Sequence, residues 1–139
     1  MVCNGARLKL QRADKHISDA NAAVAVLKNS YSSVIEVDPK TRTQSITYKC
    51  DNLIGHVNEI ALITGDAIHN MRSALDHVWV ALIESLGLPI TRWTKFPFAD
   101  SADALHKTLR DREIDCANPA LFQKITVEIK PYKGACVSG

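Results

Sequence analysis

One stretch of this sequence, residues 65–77, concentrates the side chains that could do chemistry. It brings carboxylates, imidazoles, a guanidinium, a hydroxyl and an amide into the most apolar part of the chain. The residues concerned are Asp66, His69, Asn70, Arg72, Ser73, Asp76 and His77. Burying a charge is costly unless it is paired and hydrogen-bonded. A helix that keeps such groups beside a core therefore has either a structural or a functional reason for them.

The spacing of these residues leaves two interpretations open. On a helical wheel of about 100° per residue, most of them lie opposite or beside the apolar stripe. Arg72 and Asp76 are one turn apart, so an ion pair between them would fix the guanidinium for another task. The alternative is an ordinary solvated helix face, on which such pairs contribute little.

Arg72 and His77 also carry a resemblance to a known superfamily. Residues 72–77 resemble the R-x4-H motif of the HEPN superfamily, small helical domains of which many are metal-independent ribonucleases. More narrowly, residues 65–77 look like the signature of an uncharacterised bacterial protein family, and residues 95–98 and 130–134 look like its later landmarks. In that family the chain continues into a helix with an Asp-Lys-His-Arg run. We therefore expect a C-terminally shortened member.

The resemblance implies a function for the motif. Cleavage of RNA without a metal requires a base, an acid and a cation for the developing phosphorane charge. His77 would transfer protons near neutral pH and Arg72 would stabilise charge, with Ser73 directly after the arginine. On one helix His77 points well away from Arg72, so the resemblance implies a homodimer with RNA as its partner. The expected binding residues are Asp66, His69, Asn70 and Asp76.

Two further hypotheses compete with the nuclease. Asp66 with His69, and Asp103 with His106, each place a carboxylate and an imidazole one turn apart, as in dimetal helical bundles. The main expectation is nonetheless that the protein has no metal and no cofactor. The other hypothesis is a non-enzymatic assembly module that dimerises through the apolar end of the long helix. Its residues Trp79, Val80 and Ile83 lie off the main stripe, and they mark either a partner surface or a contact with the connector at Trp93, Phe96 and Phe98.

The elements that must position these residues follow from periodicity and turn chemistry. The pattern predicts a helix over residues 6–31, a β-hairpin over 33–50 with a turn at 38–41, and a long helix over 52–86. It then predicts a packed aromatic and proline-rich connector over 88–99 and a helix over 101–113. Residues 118–130 are predicted to form a last helix, although a strand is an alternative there. Gly65 predicts a kink or a close crossing in the long helix. We expect a mainly α fold in one domain, residues 1–139. Its architecture would be an antiparallel helical bundle of about four helices, with the hairpin between the first two long helices.

Each long helix carries an apolar stripe, and we expect the two stripes to pack against each other. In the first helix the stripe consists of Leu10, Ala13, Ile17, Ala20, Val24, Leu27 and Tyr31. In the second it consists of Leu53, Val57, Ile60, Thr64, Ile68, Met71, Leu75, Val78 and Leu82.

Composition excludes several classes of protein. The chain has 139 residues, 46% of them hydrophobic, and a formal net charge of +2. This charge is too small and too dispersed to indicate DNA binding. No signal peptide and no run long enough to span a bilayer are visible. We expect a cytoplasmic protein with no membrane partner, whose widely spaced Cys3, Cys50, Cys116 and Cys136 are free thiols.

Overall fold

The protein is mainly α-helical, as predicted. The computed structural model describes residues 4–133, so the predictions on Cys3, Gly134 and Cys136 lie outside the described residues. In chain order the elements are α1 (Asn4–Asn29), β1 (Tyr31–Val37), β2 (Gln44–Cys50), α2 (Leu53–Ser85), α3 (Ala102–Arg110), α4 (Ile114–Ala117), α5 (Pro119–Gln123) and a π-helical segment (Lys124–Ile129). Cys50 and Cys116 are free, as predicted.

The ends of the helices obey the predicted capping chemistry. Ser101 Oγ accepts a hydrogen bond from Ala104 N at the start of α3. Asn118 Oδ1 accepts one from Leu121 N at the start of α5, where proline occupies the first turn. Past the end of α2, Gly87 adopts a φ of 68°, which costs glycine little and other residues more.

The last predicted element is a helix, and the alternative of a strand is wrong. Residues 118–130 begin as α5 and continue as a π-helical segment, Lys124–Ile129. Ile125 and Thr126 are buried there, whereas Val127 and Ile129 are exposed. The alternation of Ile125, Val127 and Ile129 that suggested a strand therefore does not correspond to one buried face.

The β-hairpin between the two long helices is antiparallel over seven pairs, from Tyr31 opposite Cys50 to Val37 opposite Gln44. The predicted turn forms at Asp38, whose Oδ1 accepts hydrogen bonds from the backbone N–H groups of Lys40 and Thr41. Because Tyr31 and Cys50 lie side by side, the chain leaves α1 and enters α2 at the same end of the hairpin.

The sequence analysis predicts a single domain, and the structure divides into two compact units. The first runs from Asn4 to Ala74 and contains α1, the hairpin and most of α2; we call it the helical-hairpin unit. The second includes residues 75–133; we call it the carboxy-terminal unit. The predicted ends of the elements agree with the structure to within about three residues, but the short helix α4 was not predicted.

In the helical-hairpin unit, the buried side of each long helix is a seam whose most deeply buried positions include alanines on both helices. On α2 the buried or half-buried positions are His56, Ile60, Ile63, Ala67, Asn70 and Ala74. On α1 they include Ala6, Lys9, Ala13, His16, Ala20, Ala23 and Leu27. Both sets advance by alternating steps of three and four residues, the spacing of an antiparallel helix pair. Since the helices belong to one compact unit and meet the hairpin at one end, we infer that the seams pack on each other.

These seams coincide only in part with the predicted stripes, which share Ile60 on α2 and Ala13, Ala20 and Leu27 on α1. On α2 the seam lies roughly 75° around the helix from the stripe. Leu53, Val57, Ile68 and Met71 of the stripe are exposed, as are Leu10 and Ile17 on α1. Alanine side chains on a seam allow two helix axes to approach closely. The prediction that the whole apolar stripe of each helix forms the contact is wrong, because these exposed members lie outside the seams.

The carboxy-terminal unit has a core of large side chains. Trp79, Ile83, Leu105, Leu109, Ile114 and Ile125 are all at most 3% exposed. Phe96, Leu121, Phe122 and Tyr132 pack against them. Two residues of α2, two residues of α3 and residues of the later helical segments thus contribute to a single apolar cluster.

Candidate functional site

The polar cluster of the motif lies on α2, which runs from Leu53 to Ser85. The predicted close crossing at Gly65 is not found, because a Cβ placed there would meet nothing within 4 Å. The side chains of Asp66, His69, Arg72 and His77 are exposed, whereas Ser73 is half-buried. The two residues to which the resemblance assigns catalysis are therefore both accessible to solvent.

Asn70 differs from the exposed members of the cluster. It is 7% exposed and its Nδ2 donates a hydrogen bond of 2.8 Å to the backbone oxygen of Asp66, one turn earlier. It lies between Ala67 and Ala74 in the α2 seam and is the most deeply buried polar residue there. A buried amide at such a position commonly fixes the register of a helix pair.

Asp76 anchors the aromatic connector. Its Oδ1 accepts a hydrogen bond of 2.9 Å from the backbone N–H of Phe96, twenty residues along the chain. The sequence predicted that Asp76 would pair with Arg72, and this pairing stays a prediction. The bond to Phe96 shows that the carboxylate has a structural task within the carboxy-terminal unit.

The apolar end of α2 is covered by its own chain. Trp79 packs edge-on against Phe96 with ring centroids 5.8 Å apart, and Phe96 in turn contacts Phe98 at 5.0 Å. Trp79 and Ile83 are buried and Val80 is half-buried. Of the two interpretations of these residues, contact with the connector is confirmed for Trp79. Trp79 and Ile83 belong to the core of the carboxy-terminal unit and are not exposed as a partner surface.

In the second carboxylate–imidazole pair, Asp103 with His106, the imidazole packs against an aromatic ring. His106 is half-buried and packs edge-on against Phe122, with ring centroids 5.4 Å apart. Across residues 4–133 no group of three or more His, Cys, Asp or Glu side chains could hold a metal ion. The described part of the chain therefore gives no support to the dimetal hypothesis for Asp66 and His69 or for Asp103 and His106.

The largest unexpected feature is an apolar face on the helical-hairpin unit. The fractional exposures are 49% for Leu10, 42% for Ile17, 40% for Leu53, 49% for Val57, 57% for Ile68 and 38% for Met71. We call this set the helical apolar face. No member is charged, and the four residues of α2 belong to a pattern that repeats with coiled-coil spacing.

Both helices contribute to the same side of the pair. On each helix the exposed residues lie roughly 70–75° from the seam, in the same rotational sense along the chain. Because α1 and α2 run in opposite directions, an equal rotation from facing seams brings both rows to one side. Leu62 is also exposed, at 73%, but it lies on the opposite side of α2.

The hairpin adds a second apolar face. Residues opposite each other in the antiparallel register share a face, so Ile35 and Ile46 lie on one side together with Tyr31, Val37 and Tyr48. We call these five residues the ribbon face. They are 48–71% exposed, and the other side of the ribbon carries mainly Ser, Thr, Glu and Lys. Period-two alternation in the sequence contains this signal, but the register is needed to combine the two strands.

Sequence reasoning also missed a contact of Arg112. Its guanidinium donates from Nη1 to the backbone oxygen of Lys95 at 2.9 Å and from Nη2 to that of Trp93 at 3.4 Å. Arg92 lies over the Trp93 ring at 4.9 Å from its centroid. No spacing rule in the sequence links Arg112 to Lys95 and Trp93, which lie 17 and 19 residues earlier in the chain.

Comparison with known proteins gives no match: no protein-family model, curated protein or solved structure is similar to this chain. Among the described helices, none is both long and apolar enough to cross a bilayer.

Proposed function

We propose that this protein is a homodimeric assembly module that associates through the helical apolar face. The observation that carries the proposal is that the six large apolar side chains of the helical apolar face are exposed and lie outside the seams of α1 and α2. A contiguous exposed apolar surface of several hundred Å² marks a protein interface more often than a free surface.

The composition of this face favours a second copy of the same chain. Leu10 and Ile17 are seven residues apart on α1, and the residues of α2 follow a heptad-like spacing. Such rows are typical of helices that pack against other helices with the same spacing. A two-fold axis would bring two identical helix pairs together as a four-helix arrangement, the commonest symmetry of soluble oligomers.

The experiment compares Ile68→Lys with Leu62→Lys. Both positions are exposed apolar sites on α2 in the same unit, but only Ile68 belongs to the helical apolar face. We expect sedimentation velocity to show a dimer for the wild type and for Leu62→Lys, and a monomer for Ile68→Lys. A wild-type monomer throughout the concentration series would contradict the proposal.

A second candidate function is metal-independent RNA cleavage by the dimer. It is favoured by the exposure of both Arg72 and His77 on the helix that the proposed dimer joins. Each copy offers one arginine and one imidazole, and the resemblance to HEPN ribonucleases implies that two motifs act together. The half-buried Ser73 would then support the adjacent arginine instead of reacting itself.

The nuclease candidate is tested by RNA cleavage in the presence of EDTA. We expect Arg72→Ala and His77→Ala each to abolish cleavage, while His56→Ala, on the same helix, retains it. Dimers must be confirmed for every variant, because a monomeric variant would be inactive for another reason. A pure wild-type dimer that leaves RNA intact would leave the assembly module as the function.

A further inference from the structure

The ribbon face is the most exposed apolar surface of the hairpin. Tyr31, Ile35, Val37, Ile46 and Tyr48 are 48%, 62%, 56%, 55% and 71% exposed. Within residues 4–133 the ribbon consists of two strands alone, and no third strand pairs with either edge. Two-stranded ribbons are marginally stable in water unless something packs on them. The described part of the chain leaves this face of the ribbon exposed.

We propose that a second copy of this chain covers the ribbon face, which makes the ribbon part of the dimer interface. This inference rests on the proposed homodimer and adds the hairpin to it. A stable interface buries about 800 Å² on each partner. The helical apolar face and the ribbon face each expose on the order of 500 Å² of apolar side chain, an area near that of the largest patch on ordinary monomers. Together they reach the size of a stable interface, whereas neither face reaches it alone.

The position and chemistry of the ribbon support the same occupant. The ribbon joins α1 to α2 directly, so both apolar faces belong to one compact unit and one contact can include both. Neither face contains a charged residue, and Glu36 and Lys49 lie on the other side of the ribbon. Nothing in the ribbon face therefore selects a charged partner such as a nucleic acid, whereas a second apolar surface of the same kind fits it.

Adjacent positions on β2 provide a matched pair of variants. Ile46 lies on the ribbon face and Thr47 on the opposite face, and both side chains are exposed. Ile46→Lys should raise the dimer dissociation constant by about tenfold or more, as expected for a residue at the centre of an interface. Thr47→Lys should change it by less than about twofold. Sedimentation velocity measures both, and far-UV circular dichroism checks that the helices are retained.

The outcomes separate this inference from the proposal on which it rests. If Ile68→Lys dissociates the dimer and Ile46→Lys does not, the helical contact stands and the role of the ribbon is refuted. Equal weakening by Ile46→Lys and Thr47→Lys would also refute it, because the effect would then not depend on the face. A monomeric wild type would contradict both.

Photocrosslinking identifies what lies against the ribbon. Tyr48 is replaced by benzoylphenylalanine, and chains labelled with ¹⁴N and ¹⁵N are mixed before irradiation. Crosslinked peptides that combine the two isotopes are expected, since the contact joins two copies. Crosslinks confined to one isotope would overturn the inference. Flotation of the wild type with phosphatidylglycerol–phosphatidylcholine vesicles, abolished by Ile46→Lys, would assign the face to lipid and overturn it as well.

Discussion

The two compact units differ in the apolar residues that they bury. In the carboxy-terminal unit large side chains such as Trp79, Leu105 and Leu109 form an almost completely buried core, although Trp93 and Phe98 are exposed. In the helical-hairpin unit the buried positions include alanines, and large side chains such as Ile68 and Ile35 remain exposed. Both units are built from apolar and amphipathic segments, so composition does not explain the difference. The carboxy-terminal unit thus has a core of large side chains, whereas the helical-hairpin unit leaves several large side chains exposed, as the proposed homodimer requires.

The largest expected effect concerns the core. Leu109 is fully buried, so Leu109→Ala should lower the free energy of unfolding by about 2–5 kcal/mol through lost burial and a cavity. The measurement is urea denaturation followed by tryptophan fluorescence, since Trp79 lies in the same cluster. As a control, Leu62→Ala removes an equally large side chain from the exposed side of α2 and should have almost no effect. A large loss at both positions would remove the distinction between the units.

The seam is tested by making a small residue large. Ala67 is 4% exposed. Ala67→Leu should lower the free energy of unfolding by about 1–3 kcal/mol, because the helices cannot make room for the larger side chain without losing their contact. Ala61→Leu, at an exposed position on the same helix, should leave stability nearly unchanged. Thermal or chemical denaturation measures the stability of both variants. A neutral Ala67→Leu would mean that α1 does not pack closely at this point.

The connector of the carboxy-terminal unit is tested at Asp76. Asp76→Ala removes the acceptor of the Phe96 backbone N–H and should cost about 1–3 kcal/mol. Asp76→Asn keeps an acceptor oxygen and should cost less. Asp66→Ala, at an exposed position in the helical-hairpin unit, is the comparison and should cost little. If Asp66→Ala and Asp76→Ala have equal effects, the hydrogen bond does not stabilise the connector.

The smallest expected effects are electrostatic. In the carboxy-terminal unit the hydrogen bond from Lys133 Nζ, 2.6 Å from Asp100 Oδ1, together with its charge, lowers the pKa of Asp100, and the same contact raises the pKa of Lys133. In the hairpin the backbone N–H of Lys40, followed by Thr41, lowers the pKa of Asp38. A lowered carboxyl pKa contributes stability above the unfolded pKa, and this contribution is lost as the pH falls through the folded value. For Lys133 the contribution is present below the unfolded pKa and is lost as the pH rises through the folded one.

Nuclear magnetic resonance titration of the carboxyl carbons separates these two sites. Lys133→Met should return the pKa of Asp100 to its ordinary range and leave that of Asp38 low, since Asp38 depends on its own turn. Both carboxyls are fully exposed, so the stability changes should be small. A shift of Asp38 in the same variant would contradict the assignment to local hydrogen bonds.

Local signals in the sequence predicted the elements well. Ser101 and Asn118 cap helices because their side-chain oxygens accept from backbone N–H groups three residues on. Asp38 likewise forms a turn by accepting a hydrogen bond from a backbone N–H nearby in the chain, and Gly87 follows the end of α2 with a positive φ. The exposure of His77 was likewise expected from its place on the helical wheel, whereas Arg72 was expected at the boundary of the core and is exposed.

The rest depended on which surfaces meet. Periodicity placed the large residues of α2 on one stripe, but the side that is most deeply buried is a neighbouring one, which contains Ala67 and Ala74. A wheel weighs residues by hydrophobicity, whereas the distance between two helices is limited by the volume at their contact. The burial of Trp79 likewise required Phe96, from a connector that sequence could not fold.

The sequence by itself thus determined the elements, their ends and the polar cluster on α2, because all of these follow from interactions within a few residues. Only the tertiary structure decided which side of α2 is buried, that Asp76 holds the connector, and that two apolar faces remain exposed. These outcomes depend on contacts between segments far apart in the chain, where side-chain volume and strand register determine which surfaces can approach.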